Sequence, residues 1–227
     1  MSEKIIKSAD RVKDIGEVFT PKKTVDFMLD QPEIKAKVNS LTATFLEPSA
    51  GEGAFLVELL RRKLVYAKKA SKSIAEMQNN FLLALSTLYG IELMEDNVEM
   101  LVMNMNNVFR DTYFKAFNPK ERNNKILKSA QTIISANMAQ GDALTKKTST
   151  GADIVFSEWK SIGKDKVQRT EYSFAAIAKG ETASGTVRPH YEQLSLLEPS
   201  PDQTESKPLE KHYKLVKWED IYKQITE

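Results

Sequence analysis

Three short segments carry residues whose types and spacing suit ligand chemistry: EPSAGEGAF at 47–55, GIEL at 90–93 and GDAL at 141–144. The first follows an apolar pair and runs from Glu47 through Ser49 and Ala50 into Gly51 and Gly53. Apolar residues at helical spacing come next: Phe55, Leu56, Leu59, Leu60 and Leu64. A strand, a glycine turn and a helix in that order present backbone N–H groups at the carboxyl edge of a sheet. That edge is the usual ligand crevice of such folds. Gly51 and Gly53 let the backbone approach a ligand closely. No Gly-Lys-Ser/Thr follows, so the turn is not a phosphate loop. Glu92 ends a second apolar run, where a carboxylate can accept both hydroxyls of a ribose. Asp142 follows a third, placed to accept an exocyclic amine of adenine with Leu144 or Ile91 against the ring. Each alone has a plain structural alternative: a turn, a solvated acid, a helix cap. Together, in sequence order, they describe a nucleoside pocket with no requirement for a phosphate.

The elements that position these residues are legible in outline. FTPKKTVDFMLD (19–30) holds a helix start, with Thr20 as a capping residue, Pro21 at the first helical position and Val25, Met28 and Leu29 as an apolar stripe. Strands are expected at 44–49, 88–93 and 132–142. Helices are expected at 53–70, 73–88 and 95–108, with broken helix over 109–130. Met100, Met103 and Met105 read as core filler. This alternation predicts a three-layer α/β sheet with mostly parallel strands. The pattern then changes. DIVFSEWK (153–160) and VQRTEYSFA (167–175) alternate around SIGKDK and predict a β-hairpin. From residue 179 the chain turns to Gly, Ser, Thr, Pro and Gln, the composition of a flexible tail. VKWEDIYKQI (216–225) suits a short terminal helix with Trp218, Ile221 and Ile225 on one face. The domain is thus expected to span 1–178 and the tail 179–227.

Composition narrows the class further. The chain has 227 residues, 41% of them apolar, enough for one ordinary core plus extensions. It has no cysteine and two histidines, His190 and His212, which argues against thiolate or histidine-rich metal sites and fits a reducing cytoplasm. No apolar run is long enough to span a membrane. Lys and Arg number 33 against 31 Asp and Glu, so only a local patch could favour a polyanion.

GEVFTP (16–21), EPSAGEGAF, GIEL and GDAL together resemble the S-adenosylmethionine-binding motifs of adenine-specific N6 DNA methyltransferases, the modification enzymes of restriction systems. The resemblance covers about residues 14–145. It implies a Rossmann-like methyltransferase fold with S-adenosyl-L-methionine as cofactor. It places Phe19, Thr20 and Pro21 over the methionine end. Glu47 and the 49–53 turn meet the amino-acid moiety, Glu92 the ribose and Asp142 the adenine, with Leu93 and Leu144 as further cofactor-binding positions.

The family's catalytic Asn-Pro-Pro-Tyr or Asn-Pro-Pro-Phe tetrapeptide does not occur in the sequence. In the family its Asn side chain and a Pro carbonyl accept hydrogen bonds from the target adenine's amine, and its aromatic stacks on the flipped base. Two readings stay open. Either 153–160 is a fourth core strand bringing Ser157, Glu158 and Trp159 to the catalytic place, or 153–175 is an inserted hairpin. The alternation of both segments favours the hairpin, in which Trp159 is packed and Glu158 is solvated. The pattern shows no separate target-recognition domain, so DNA is expected to be reached directly or through a specificity or catalytic partner subunit.

In the tail, Gln193, Leu194, Leu196 and Leu197 resemble the short peptide by which bacterial replication and repair proteins bind the sliding clamp, with Leu197 where Phe is usual. Two rival functions remain at this stage. One is a non-catalytic regulatory or anti-restriction module acting through its tail. The other is a methyltransferase on a non-DNA substrate.

Overall fold

A computed structural model describes residues 20–178 and 213–226, with Ser8, Arg11, Lys13 and Val18. Two short helices, α1 (Lys22–Leu29) and α2 (Pro32–Val38), lead into strand β1 (Phe45–Glu47). Helices α3 (Ala54–Ala70) and α4 (Ile74–Ser86) connect β1 to β2 (Leu88–Glu92). Helices α5 (Glu95–Ala116) and α6 (Asn124–Asn137) connect β2 to β3 (Met138–Gln140). The three strands form a parallel sheet in the order β1-β2-β3. Its register aligns Glu47 with Gly90 and Glu92 with Gln140, so the three strand ends that carry the motifs share one edge.

The helices form because their apolar residues recur on one face. In α3, Leu56, Leu59, Leu60, Lys63, Leu64 and Ala67 are buried at spacings of three and four. In α6 the buried set is Ile126, Ser129, Ala130, Ile133, Ile134 and Asn137. Ser73 starts α4 by accepting the Glu76 N–H. Thr20 does not cap α1: Pro21 occupies the cap position, and no side chain bonds the first turn. Val25 and Leu29 of the expected stripe are buried, whereas Met28 is exposed.

Alternating residues of the parallel sheet face two different partners. Phe45, Leu88 and Met138 join the helical core, where Phe81, Phe109, Tyr113 and Phe117 make aromatic contacts. Leu46, Tyr89, Ile91 and Ala139 face a smaller cluster of Ile154, Phe156 and Phe174. That second face is covered by the hairpin β4 (Val155–Ile162) and β5 (Lys166–Ser173), with the short helix α7 (Phe174–Ala178). Among the described residues this hairpin stands where a second helical layer was expected, which corrects the three-layer reading.

Residues 155–162 pair antiparallel with 166–173 and do not join the parallel sheet, which resolves the choice in favour of a hairpin. Trp159 is buried, its indole N–H donating to Asn137 Oδ1 at 3.3 Å. Glu158 is half-buried rather than fully solvated. Two helix boundaries also differ from expectation. Helix α5 runs unbroken to Ala116, and residues 132–137 are the end of α6 rather than strand. Of the three methionines, Met105 is fully buried and Met103 is exposed.

The expected flexible tail is corrected for its last part. Strand β6 (Val216–Lys217) adds to β5, and a 3-10 helix, Trp218–Lys223, packs on α6. Trp218 and Ile221 are buried, while Ile225 is exposed. Ser129 Oγ donates to the Glu219 carbonyl, and Asn123 Nδ2 to its carboxylate. Gln193, Leu194, Leu196 and Leu197 lie outside the described residues. No described helix is long and apolar enough to cross a membrane.

Candidate functional site

The carboxyl edge of the parallel sheet gathers Glu47, the 49–53 turn, Glu92, Leu93, Asp142 and Leu144. The turn is fixed to the middle strand by its own backbone. Ala50 N–H donates to the Ile91 carbonyl at 2.9 Å, and Gly51 N–H donates to Glu92 Oε2 at 2.8 Å. Gly51 and Gly53 have φ of +54° and +94°, the left-handed region that glycine tolerates without strain. A Cβ on Gly51 would meet no atom within 4 Å, so the turn is open to an approaching group on that side.

Glu92 is 7% exposed and is the centre of the arrangement. Besides Gly51 N–H it accepts Met94 N–H at 3.0 Å and Asn97 Nδ2 at 3.3 Å, both on Oε1. Met94 and Asn97 belong to the start of α5, where a carboxylate is favoured by the helix dipole. A carboxylate offers about four acceptor positions. Three are used, so Glu92 can accept one further hydroxyl as it stands. The second hydroxyl of a diol would have to displace one of the present donors.

Asp142 sits in a tight loop. Its N–H donates to the Lys147 carbonyl, and its Oδ1 accepts Leu144 N–H at 2.8 Å. This is the turn role noted as its structural alternative. Its Oδ2 has no partner among the described residues, which leaves an acceptor for an amine. Gly141 N–H donates to the Glu92 carbonyl at 2.9 Å and joins the second and third strand ends. Leu93 and Leu144, at adjoining strand ends, are 54% and 80% exposed, so two apolar side chains flank the edge. Glu47 is half-buried; burial pushes its carboxyl above the usual range, against the smaller effect of the Ser49 N–H. Thr20 and Pro21 are half-buried ahead of α1, and Phe19 lies outside the described residues.

Four further residues shape the site beyond those the motifs point to. Asn97, 1% exposed, holds Glu92, and Asn104 Nδ2 donates to the Glu52 carbonyl at 2.9 Å. The signal was present: two asparagines seven apart flank Leu101 on the otherwise apolar face of α5. Leu101 in turn packs where a Cβ on Gly53 would stand, at 2.6 Å. Arg11 reaches Asp96 in the first turn of α5 with contacts of 2.7 and 3.1 Å. No spacing rule relates residues so distant.

A separate cleft of about 480 Å³ lies against α6 and the hairpin, lined by Lys128, Thr132, Arg169 and Tyr222 among others. It contains none of the motif residues. Comparison with protein-family models, curated proteins and solved structures gives no match.

Proposed function

We propose that this chain binds S-adenosyl-L-methionine at the carboxyl edge of its parallel sheet and works as the cofactor-binding part of an adenine-N6 DNA methyltransferase. The observation that carries the reading is the junction of Gly51 N–H with the Glu92 carboxylate at 2.8 Å, which brings two motifs 41 residues apart onto one spot. The chemistry of the remaining donors and acceptors fits the ligand. Glu92 retains an acceptor position for ribose, Asp142 Oδ2 for the adenine amine, and Leu93 and Leu144 offer apolar surface for the ring. The open side of Gly51 leaves room for the amino-acid end beside Glu47. When bound, the cofactor supplies an electrophilic sulfonium methyl; the chain's own residues bind and orient it.

Transfer to adenine needs hydrogen-bond acceptors at the target nitrogen. No Asn-Pro-Pro-aromatic tetrapeptide occurs in these 227 residues. Trp159 is buried against Asn137 in the hairpin and is not presented for stacking on a base. The acceptors and the target reading would then come from outside these residues, as a partner subunit would supply them, and the sliding-clamp resemblance at 193–197 remains a further proposed contact. Isothermal calorimetry tests the central claim. S-adenosylmethionine or its demethylated product should bind at micromolar strength, about −8 kcal/mol. No heat at millimolar ligand would refute it.

A further inference from the structure

The antiparallel sheet carries a concentration of charge that nothing in the cofactor site uses. Residues 160–168 and 214–217 contain five lysines (Lys160, Lys164, Lys166, Lys214 and Lys217) and one acid, Asp165. That is a local charge of +4, where the whole chain has +2. All five lysines are exposed.

The register places three of them together. Trp159, Val167 and Val216 point into the helical core, so by alternation Lys160, Lys166 and Lys217 share the other face, forming its exposed end while Phe156 at its far end is buried against the parallel sheet. Lys166 and Lys217 are directly opposite one another across the β5–β6 pair. Lys160 is opposite Gln168, diagonal to Lys166. Like charges facing each other across a ladder destabilise a sheet. Asp165 does little to offset them: it approaches Lys217 only to 3.9 Å, with both side chains more than half exposed.

From this juxtaposition we infer that the exposed end of this face, at Lys160, Lys166 and Lys217, is a nucleic-acid interface that contacts the phosphates of duplex DNA. A repeated anion relieves the repulsion between facing lysines, and release of its counterions drives binding. The choice of DNA among polyanions rests on the proposed methyltransferase function; the cationic surface itself does not.

The test is fluorescence anisotropy of a labelled duplex with the full chain, without cofactor, across a range of salt. Each phosphate contact contributes about 0.9 to the slope of log affinity against log salt. The triple variant K160Q/K166Q/K217Q should therefore bind with a slope shallower by about 2 to 3. Lys217→Gln alone should flatten it by about 1. The pair K68Q/K69Q, at the exposed end of α3, should leave it unchanged. The triple variant should melt no lower than the parent, because facing like charges have been removed. An unchanged slope, no duplex binding by the parent at low salt, or binding to phosphatidylserine vesicles or polyglutamate but not to duplex would overturn the inference. Calorimetry with S-adenosylmethionine on the same variant separates the two claims. Cofactor binding with an unchanged salt slope refutes the surface alone. Lysine-dependent duplex binding without cofactor heat refutes the proposed site and leaves the surface standing.

Discussion

Glu92→Gln is the most informative single change, because one carboxylate has two separable tasks. In the free protein its Oε2 accepts Gly51 N–H and its Oε1 accepts Met94 N–H and Asn97 Nδ2. An amide has the same shape but only one acceptor oxygen. Turned toward Gly51, that oxygen would leave the amide NH2 against both donors of α5. Turned toward α5, it satisfies Met94 and Asn97 and sets NH2 against Gly51 N–H. The second orientation is the less costly, and its cost is one charge-assisted bond. Such a bond contributes about 1.5–3 kcal/mol. Gly51 is half-buried, and water can reach its N–H. The expected loss of stability is thus near the lower end, about 2 kcal/mol. For a domain of this size that lowers the melting temperature by about 4–8 °C. Ribose binding also loses its charged acceptor, which weakens S-adenosylmethionine by about 1.5–3 kcal/mol, or roughly ten- to a hundredfold. Thermal melts and calorimetry read the two effects independently. A lower melting temperature with unchanged affinity would make Glu92 a tether of the turn and nothing more. A variant that melts within a degree of the parent and binds equally well would refute the whole account of this residue.

Three other perturbations probe the scaffold. A Cβ on Gly141 would stand 2.6 Å from the Lys147 carbonyl oxygen and 2.7 Å from Ile154 Cδ1, and a backbone atom cannot yield as a side chain does. Gly141→Ala should cost about 1–3 kcal/mol in urea unfolding, and an unchanged midpoint would show that the 141–154 loop is not packed as described. Trp218→Ala should remove about 3–5 kcal/mol and expose residues 213–226 to limited proteolysis; equal resistance of both proteins would argue against docking of this segment. Lys63 is fully buried, its ammonium donating to the Ser40 and Ala43 carbonyls, and burial pushes its pKa down to about 8 from 10.5. Its folded value lies below its unfolded one, so the charged form costs stability below about pH 8, and that cost disappears as pH rises toward 10.5. The shift is worth up to about 3 kcal/mol. The stability of the parent relative to Lys63→Met should therefore increase between pH 8 and 10, and a flat difference would mean that Lys63 is not held as described.

Helices whose buried residues keep strict spacing could be read from the sequence, and those whose composition argues otherwise could not. Helix α3 was legible because four of its six buried residues are Leu, at i, i+3, i+4 and i+8. The end of α6 was not. Ile133 and Ile134 are β-branched and sit just before a true strand, so local propensity favoured an early strand. Yet they continue the face begun by Ile126 and Ala130, and packing against that face overrides propensity. Helix α5 was cut short for a related reason: its second half is polar on the outside, but Val108, Phe109 and Tyr113 keep the inner stripe unbroken. Docking of residues 213–226 depends on Trp218 finding a gap beside α6 and on Glu219 meeting Asn123 and Lys125. These contacts span some 90 residues of chain and leave no periodic trace.

The candidate site was legible for a different reason. Its residues sit where strands end, and strand ends are marked by glycine and acid residues that can be recognised without knowing the packing. What the motifs do not reveal is how their groups are already engaged with one another. Read in isolation, Glu92 is an acid with free acceptors; in the fold, three of them hold the turn and α5. Read in isolation, Asp142 is a ligand to an amine; in the fold, one oxygen already closes the loop to Leu144. The donors that compete for these carboxylates come from Asn97, Met94 and the backbone of the turn, on elements brought in by tertiary packing. A ligand at this edge must therefore exchange hydrogen bonds rather than simply add them. The strength of binding is set by the difference between the two sets, and for that reason the conservative Gln substitution at position 92 discriminates between tether and ligand where truncation to Ala would remove both.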